Sequence, residues 1–574
     1  MVSGIQRLGE LAVTALSLAS VTTASPALQQ RSAVQVPVVS LKNGSYSGIH
    51  LPEYGQDNFL GMPYAKPPVG DLRFRVPQPL DSTWDGVREA TEYSPFCIGY
   101  GSDTWVLGNH VSEDCLTINV VRPAGVSAED SLPVAFWVHG GGFTNGGSGD
   151  PRYNLSFIVE QSVQMGTPIV AASINYRLQS WGFLHGNEIV EEGSTNIAFR
   201  DQRLALHWVQ ENIASFGGNP DEVTLWGESA GARSVGVQLI AYDGRDDHLF
   251  KRAVMQSASP APATPQPFTA NDWEPYYQAV LSAAGCSPDN QTETNGLDCL
   301  RTVPVDDLSA IFNSTLKAKI PGLGQVVDGD LVTAPGDDLM REHKFVKVPL
   351  LMGTNFDEGA EYATQGINTD EQFLQLIANN GIDKVAAARI AELYPDDPDV
   401  GIPATLPGRP SGDIAFLGSQ WKRVAAYRGD TQQHGPRRFT TRMWAEAGVP
   451  AYSYHFNVRP HGIAYWFGAK HFVEVVFVFN NVDGLGYENA VSENPMEGKP
   501  AKFLEIADKM SKMWVSFFVT GDPNWNPRAC SKWPQYTLDA PANIVFDANT
   551  TKTAFIEPDT YRQEEIDYLI DLLN

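Results

Sequence analysis

The stretch Asp221 to Ile240, DEVTLWGESAGARSVGVQLI, constrains the fold more than any other part of the chain. Val223-Thr224-Leu225-Trp226 is β-branched and aromatic with no breaker inside it, as in a short buried strand. Gly227-Glu228-Ser229-Ala230-Gly231 follows, and then a Pro-free run that suits a helix. In so tight a turn a side chain at Gly227 or Gly231 would collide with the neighbouring strand or helix, and Ser229 is forced into strained backbone. The turn holds the Ser229 hydroxyl out at the sheet's edge, at the positive end of a helix, where developing negative charge is favoured. Strand, G-x-S-x-G and helix in this order is the context of a nucleophile elbow. The pentapeptide also arises in incidental glycine-rich turns, so the rest of the chain must give it weight.

Other segments supply what such a serine would need. Leu132 to Val138 reads as a strand running into His139-Gly140-Gly141-Gly142-Phe143. Three glycines after a strand let backbone N–H groups approach a ligand with no Cβ in the way. An HGGG-type segment of this kind supplies half of an oxyanion hole, so Gly141, Gly142 and Ala230 are the candidate donors, and His139 is read as a packing residue. Val348 to Met352 reads as a strand ending in Gly353-Thr-Asn-Phe-Asp-Glu-Gly359, where Asp357 and Glu358 compete for the acid of a triad. His455, His461 and His471 follow in the last third. The order serine, acid, histidine differs from both common protease orders. Ile169–Ile174, Ala253–Gln256 and Tyr452–Val458 read as further strands, Ala198 to Phe216 as an amphipathic helix, and residues 265–345 as a helical insertion. Strands alternating with helices imply a mostly parallel sheet wrapped by helices.

Charge and cysteines narrow the setting. The 574 residues carry a formal net charge of −26 with 19% charged residues, which describes a globular acidic protein that repels nucleic acid and anionic membrane. Arg7, the short apolar run Leu11 to Val21 and Thr22-Thr23-Ala24 have the layout of a secretory signal peptide over residues 1–24, leaving 25–574 as a single domain. No later run approaches membrane length, and the C-terminus lacks a GPI-type tail. In a secreted chain the sequons at Asn43, Asn154, Asn290, Asn313 and Asn549 are candidate glycosylation sites. Cys97 with Cys115 and Cys286 with Cys299 read as two local disulfides, leaving Cys530 over as a buried free thiol, with intermolecular pairing as the alternative.

Taken together the chain resembles the type-B carboxylesterase/lipase family, the cholinesterase-like branch of the α/β-hydrolases. The likeness is carried by FLGMPYAKPPVGDLRF, SEDCLTINV, HGGGF, INYRL, DQRLALHWVQENIASFGGNP, VTLWGESAGA and GTNFDEG, in that order. It implies an α/β-hydrolase fold, a large mostly parallel central sheet with helical insertions around an active-site gorge. It selects Glu358 over Asp357, because the family's acid is the glutamate of its DEG segment. It selects His471, because His471-Phe-Val-Glu-Val-Val-Phe-Val-Phe479 fits the family's histidine segment while His455 and His461 do not. Arg73 and Glu113 match a structural salt bridge of the family, and both cysteine pairs match its disulfide positions.

The activity implied is carboxylic-ester hydrolysis through an acyl-serine, with no metal or cofactor. Two departures bear on substrate. The Cys97–Cys115 loop is short where the family's lipases carry a long amphipathic lid, which favours short to medium acyl esters. Trp105 stands ten residues before Cys115, as does the cation-binding tryptophan of cholinesterases, and with Glu228 is a candidate pocket residue. Glu361, however, falls where cholinesterases place an aromatic. A lipase, a cholinesterase-like esterase and a biosynthetic acyltransferase remain alternatives on the same triad. A non-catalytic adhesion module fits worst, since serine, acid, histidine and glycines are all retained. The partner implied is a small-molecule ester; oligomeric state stays open.

Overall fold

The computed structural model describes residues 36–101, 108–261, 268–287, 295–488, 493–524 and 532–572. Trp105, Asn290, Cys530 and the segment 1–24 lie outside the described residues. Val36 to Asn574 form one compact unit.

Among the described residues, eleven strands make one sheet. In chain order they are β1 (Ile49–Leu51), β2 (Gln56–Pro63), β3 (Thr117–Pro123), β4 (Leu132–Val138), β5 (Val170–Ile174), β6 (Gly218–Glu228), β7 (Arg252–Gln256), β8 (Leu350–Asn355), β9 (Ala451–Asn457), β10 (Ala542–Asp547) and β11 (Ala554–Pro558). Their spatial order is β11-β10-β9-β8-β7-β6-β4-β5-β3-β2-β1. The run from β5 to β10 is parallel throughout, and antiparallel strands finish both edges. This is the large, mostly parallel sheet that the resemblance implies.

Parallel strands covered on both faces must be apolar on both. Along β4 the alternation sends Val134, Phe136 and Val138 to one face and Ala135 and Trp137 to the other. The first face packs on the helices Ile197–Asn212 and Ala230–Gly244; the second packs on Leu155–Met165 and Lys502–Thr520. Trp137, Trp226 and Phe479 meet on the second face, with centroids 4.5 to 5.1 Å apart. The 265–345 stretch is helical in the main, with Ala270–Ala283, Gly296–Thr302 and Val305–Phe312, but it also holds the short parallel pair Phe268–Thr269 and Val326–Val327.

Disulfides join Cys97 to Cys115 and Cys286 to Cys299. Arg73 forks onto both oxygens of Glu113, at 2.6 and 2.8 Å, and its remaining nitrogen caps the carbonyls of Leu300, Arg301 and Val303. That buried bidentate pair fastens the loop after β2 to the Cys97–Cys115 loop and to the insertion.

Candidate active site

Three loops converge beyond the carboxyl ends of β4, β6 and β8, where open α/β sheets leave a crevice for ligands. At the end of β6 the chain reverses into the helix Ala230–Gly244, with Ser229 at φ 56° and ψ −124°. That conformation is strained for a residue with a Cβ. It survives because the surroundings fix it: Ser229 N–H donates to Gln256 O on β7 at 2.8 Å. A Cβ on Gly231 would lie 2.0 Å from Val138 O on β4, and one on Gly227 would lie 2.5 Å from the Gly231 carbonyl carbon. Both positions must therefore be glycine for the turn to close.

The imidazole of His471 reaches the serine from the loop after β9. Its Nε2 is 2.7 Å from Ser229 Oγ, and its Nδ1 is 2.6 Å from Glu358 Oε2. Glu358 is fully buried, and its other oxygen accepts the N–H of Asn355 at 2.8 Å. Serine, imidazole and carboxylate thus form one continuous hydrogen-bonded line. His455 and His461 stand elsewhere: His455 Nδ1 meets Glu557 at 3.2 Å, and His461 Nε2 meets Glu493 at 2.6 Å. Asp357 points away from the imidazole and accepts the N–H of Ala469.

Opposite the serine lies the glycine loop after β4. A Cβ on Gly140 would fall 3.0 Å from Ser229 Cβ, so the glycine backbone passes close by the serine. Gly141 and Gly142 have φ of 94° and 62°, and among the described residues their N–H groups donate to no other protein group. The Ala230 N–H, first in its helix, has no acceptor one turn back. The loop is braced from behind by His139, whose Nδ1 is 2.9 Å from Gly140 O and whose ring stacks on Tyr176 at 4.5 Å. Tyr176 in turn donates to His139 O at 2.7 Å. Burial lowers the His139 pKa to about 4, so this ring stays neutral and structural.

Two more carboxyl groups crowd the imidazole. Glu228 is 1% exposed, with Oε1 3.3 Å from His471 Nε2. Glu474 is fully buried and accepts from Gln256 Nε2 at 3.1 Å and Asn355 Nδ2 at 2.7 Å. Burial pushes the Glu228 carboxyl well above the ordinary range, helped by its acidic neighbours Glu474 and Glu358; burial raises Glu474 as well. Burial disfavours a charge on His471, but Glu358 and Glu228 outweigh it and raise the imidazole to about 10. The charges of Glu358 and Glu228 favour the protonated ring, so a Glu228 that holds its own proton leaves the imidazole freer to be neutral. Tyr362 lays its ring edgewise on His471 at 5.3 Å. Asn355 stands in the GTNFDEG segment and Glu474 in the His471–Phe479 segment, but neither segment assigns them a role, and Tyr362 belongs to no motif. The first lies three residues before Glu358 and the second three after His471, and the fold turns both side chains inward.

Of the sequons, Asn313 and Asn549 are exposed. Asn154 is half-buried and caps the helix Leu155–Met165 by accepting Ser156 N–H. Asn43 spends both amide hydrogens on Leu80 O and Ser82 O. Among the described residues no helix is long and apolar enough to cross a membrane.

Comparison with known proteins gives a consistent picture. Residues 35–567 match the model of the carboxylesterase family. Lipase 2 of Geotrichum candidum is 33% identical over 523 residues, covering 84% of this chain and 86% of that protein. Secreted lipase 1 of Botryotinia fuckeliana (strain B05.10) is 33% identical over 558 residues, covering 90% and 89%. Among solved structures, Aspergillus niger EstA superposes with a TM-score of 0.77 at 27% identity, covering 94% of this chain and 98% of that one.

Proposed function

Since the chain belongs to the carboxylesterase family and is a serine carboxylic ester hydrolase, we propose that Ser229 is its nucleophile, His471 its base and Glu358 the carboxylate that orients and charges the base. The observation that carries this reading is the unbroken line from Glu358 through His471 to Ser229, facing a glycine loop whose amides are unused.

The chemistry follows from the geometry. His471 Nε2 accepts the Ser229 proton as Oγ attacks the ester carbonyl. The carbonyl oxygen takes up negative charge and meets the N–H groups of Gly141, Gly142 and Ala230, each such donor contributing about 3 kcal/mol to the transition state. The imidazolium hands its proton to the departing alkoxide, leaving an acyl-serine and a free alcohol. Water then repeats the sequence and releases the acid. Glu358 stays ionised throughout and stabilises the imidazolium.

The test is covalent. A p-nitrophenyl alkylphosphonate should label one residue, Ser229, and Ser229→Ala should abolish both labelling and ester turnover while the protein still melts cooperatively. A label elsewhere, or turnover surviving in Ser229→Ala, refutes the assignment.

The short Cys97–Cys115 loop supports a preference for short to medium acyl chains, read as faster turnover of p-nitrophenyl butyrate than palmitate. The relatives named as lipases favour a second reading, hydrolysis of long-chain glycerides. A jump in rate on emulsified long-chain triglyceride would decide for it. Secretion is proposed from the leader layout over residues 1–24, two disulfides and the relative named as a secreted lipase. N-terminal sequencing of protein recovered from the medium tests it. Among the described residues, Asn313 and Asn549 are the exposed sequon asparagines and the favoured glycan acceptors. Glycosylation at Asn43 would cost one of its two backbone hydrogen bonds.

A further inference from the structure

Asp357 precedes Glu358 on the loop after β8 and is 3% exposed. Its N–H donates to Ala469 O at 3.0 Å, and Ala469 N–H donates back to Asp357 Oδ2 at 2.8 Å. One residue therefore grips both polar groups of Ala469, two positions before His471. Gly468 lies so close that a Cβ there would come within 2.0 Å of Asp357 Oδ2 and 2.8 Å of Pro403 Cβ. On the other side Asn355 Nδ2 donates to Lys470 O at 2.8 Å. The two residues leading into His471 are thus hydrogen-bonded to the loop that carries Glu358, and Gly468 before them lies close against Asp357. Upstream, residues 461–467 are half-buried or exposed and form turns without regular structure.

Stability does not account for this carboxylate. Asp357 Oδ1 is buried with no hydrogen-bond partner among the described residues. Burial lifts the carboxyl to about 7, against the opposing pull of Arg562 and Lys422. A buried acid with a single donor costs more in lost hydration than its hydrogen bond returns. A neutral acceptor of the same shape would hold Ala469 at less cost.

We propose that Asp357 is a positioning residue, whose carboxylate clamps the Ala469 peptide to the acid's own loop and so sets the distance at which His471 reaches Ser229. Glu358 aligns the ring; Asp357 aligns the backbone that carries it. Misplacing a base by about 1 Å costs on the order of 100-fold in rate, so the clamp acts on kcat and leaves substrate binding alone. The proposal rests on His471 being the base.

The experiment compares Asp357→Ala, Asp357→Asn and Gly468→Ala, with kcat and KM for p-nitrophenyl butyrate expressed per site titrated by the phosphonate. Asp357→Ala is expected to lower kcat about 10- to 100-fold with KM within about threefold. Asp357→Asn keeps an acceptor for Ala469 N–H and should recover kcat to within about threefold. Gly468→Ala should reproduce the Asp357→Ala defect. The double variant Asp357→Ala/Gly468→Ala should be no slower than Gly468→Ala alone, because both changes open the same clamp. Full kcat in Asp357→Ala, or an Asp357→Asn as slow as Asp357→Ala, overturns the proposal. Should Asp357→Ala not accumulate as folded protein, Gly468→Ala carries the same test: a kcat loss at constant KM supports the clamp, and unchanged kcat refutes it. His471→Ala run beside them separates the two readings, since its retaining activity would remove the base assignment, whereas its loss beside a fast Asp357→Ala removes only the clamp.

Discussion

Replacing Glu358 with Gln probes the charge behind the imidazole while leaving the shape of the site almost unchanged. The Nδ1 to Oε2 distance is 2.6 Å between two buried groups. At an effective dielectric near 20, an imidazolium and a carboxylate at that separation attract by about 6 kcal/mol, or roughly four powers of ten in rate. The amide cannot simply take over the hydrogen bond. Asn355 N–H donates to the other carboxylate oxygen at 2.8 Å, and in the variant it retains the amide oxygen and turns the NH2 toward Nδ1. Nδ1 must then accept, the ring proton moves to Nε2, and Nε2 can no longer accept from Ser229. Loss of charge and loss of tautomer act together, so Glu358→Gln is expected to lower kcat/KM by about 10⁴ or more. The assay is hydrolysis of p-nitrophenyl butyrate, with phosphonate labelling rate as a second measure of serine reactivity and circular dichroism as a control on the fold. A variant within about tenfold of wild type in both rates would show that the carboxylate contributes little, and the mechanism would have to be redrawn around Glu228 or Glu474.

Further outcomes follow from the same geometry. His471→Ala should lose about 10⁵- to 10⁶-fold in kcat, while His461→Ala stays near wild type; the reverse result would move the base to His461. Gly231→Ala places a methyl 2.0 Å from Val138 O, where only backbone can yield, so the melting midpoint should fall by the equivalent of about 1–3 kcal/mol and phosphonate labelling should slow. An unchanged melt would mean the elbow has room that the structure denies it. Asp357 gives a signed dependence on pH. Its carboxyl rises from 3.8 to about 7 on folding through burial, so between those values the native state holds the extra proton. The group then contributes stability that is fully present below pH 3.8 and is lost as pH rises through about 7. Asp357→Asn removes that loss, and its stability relative to wild type should grow between pH 4 and 8 by up to about 4 kcal/mol. A difference that is flat across that range sinks the prediction.

Much of this protein was legible in local order. The strand Val223 to Trp226, the glycines at 227 and 231 and the following helix left one way for the chain to turn, because backbone sterics act over a few residues. The alternation of β4 and the glycine run after it likewise announced a strand feeding an open loop. Parts that depend on distant contacts were less visible. From the residues alone, Asp357 and Glu358 were equal candidates, as were three histidines, and family resemblance was needed to choose. In the fold Glu358 turns toward the imidazole while Asp357 turns toward Ala469, a distinction of side-chain direction that a dipeptide cannot carry.

The amino-acid order by itself fixed the elbow, the sheet type and the list of chemically able groups, since these follow from steric limits and periodicity along the chain. Only the tertiary structure decided which of those groups touch. Ser229 and His471 are 242 residues apart, yet 2.7 Å separates Oγ from Nε2, and each brings a buried carboxyl from its own segment, Glu228 and Glu474. Proton transfer and burial depend on distance and solvent in three dimensions, and neither is written in any short stretch of sequence.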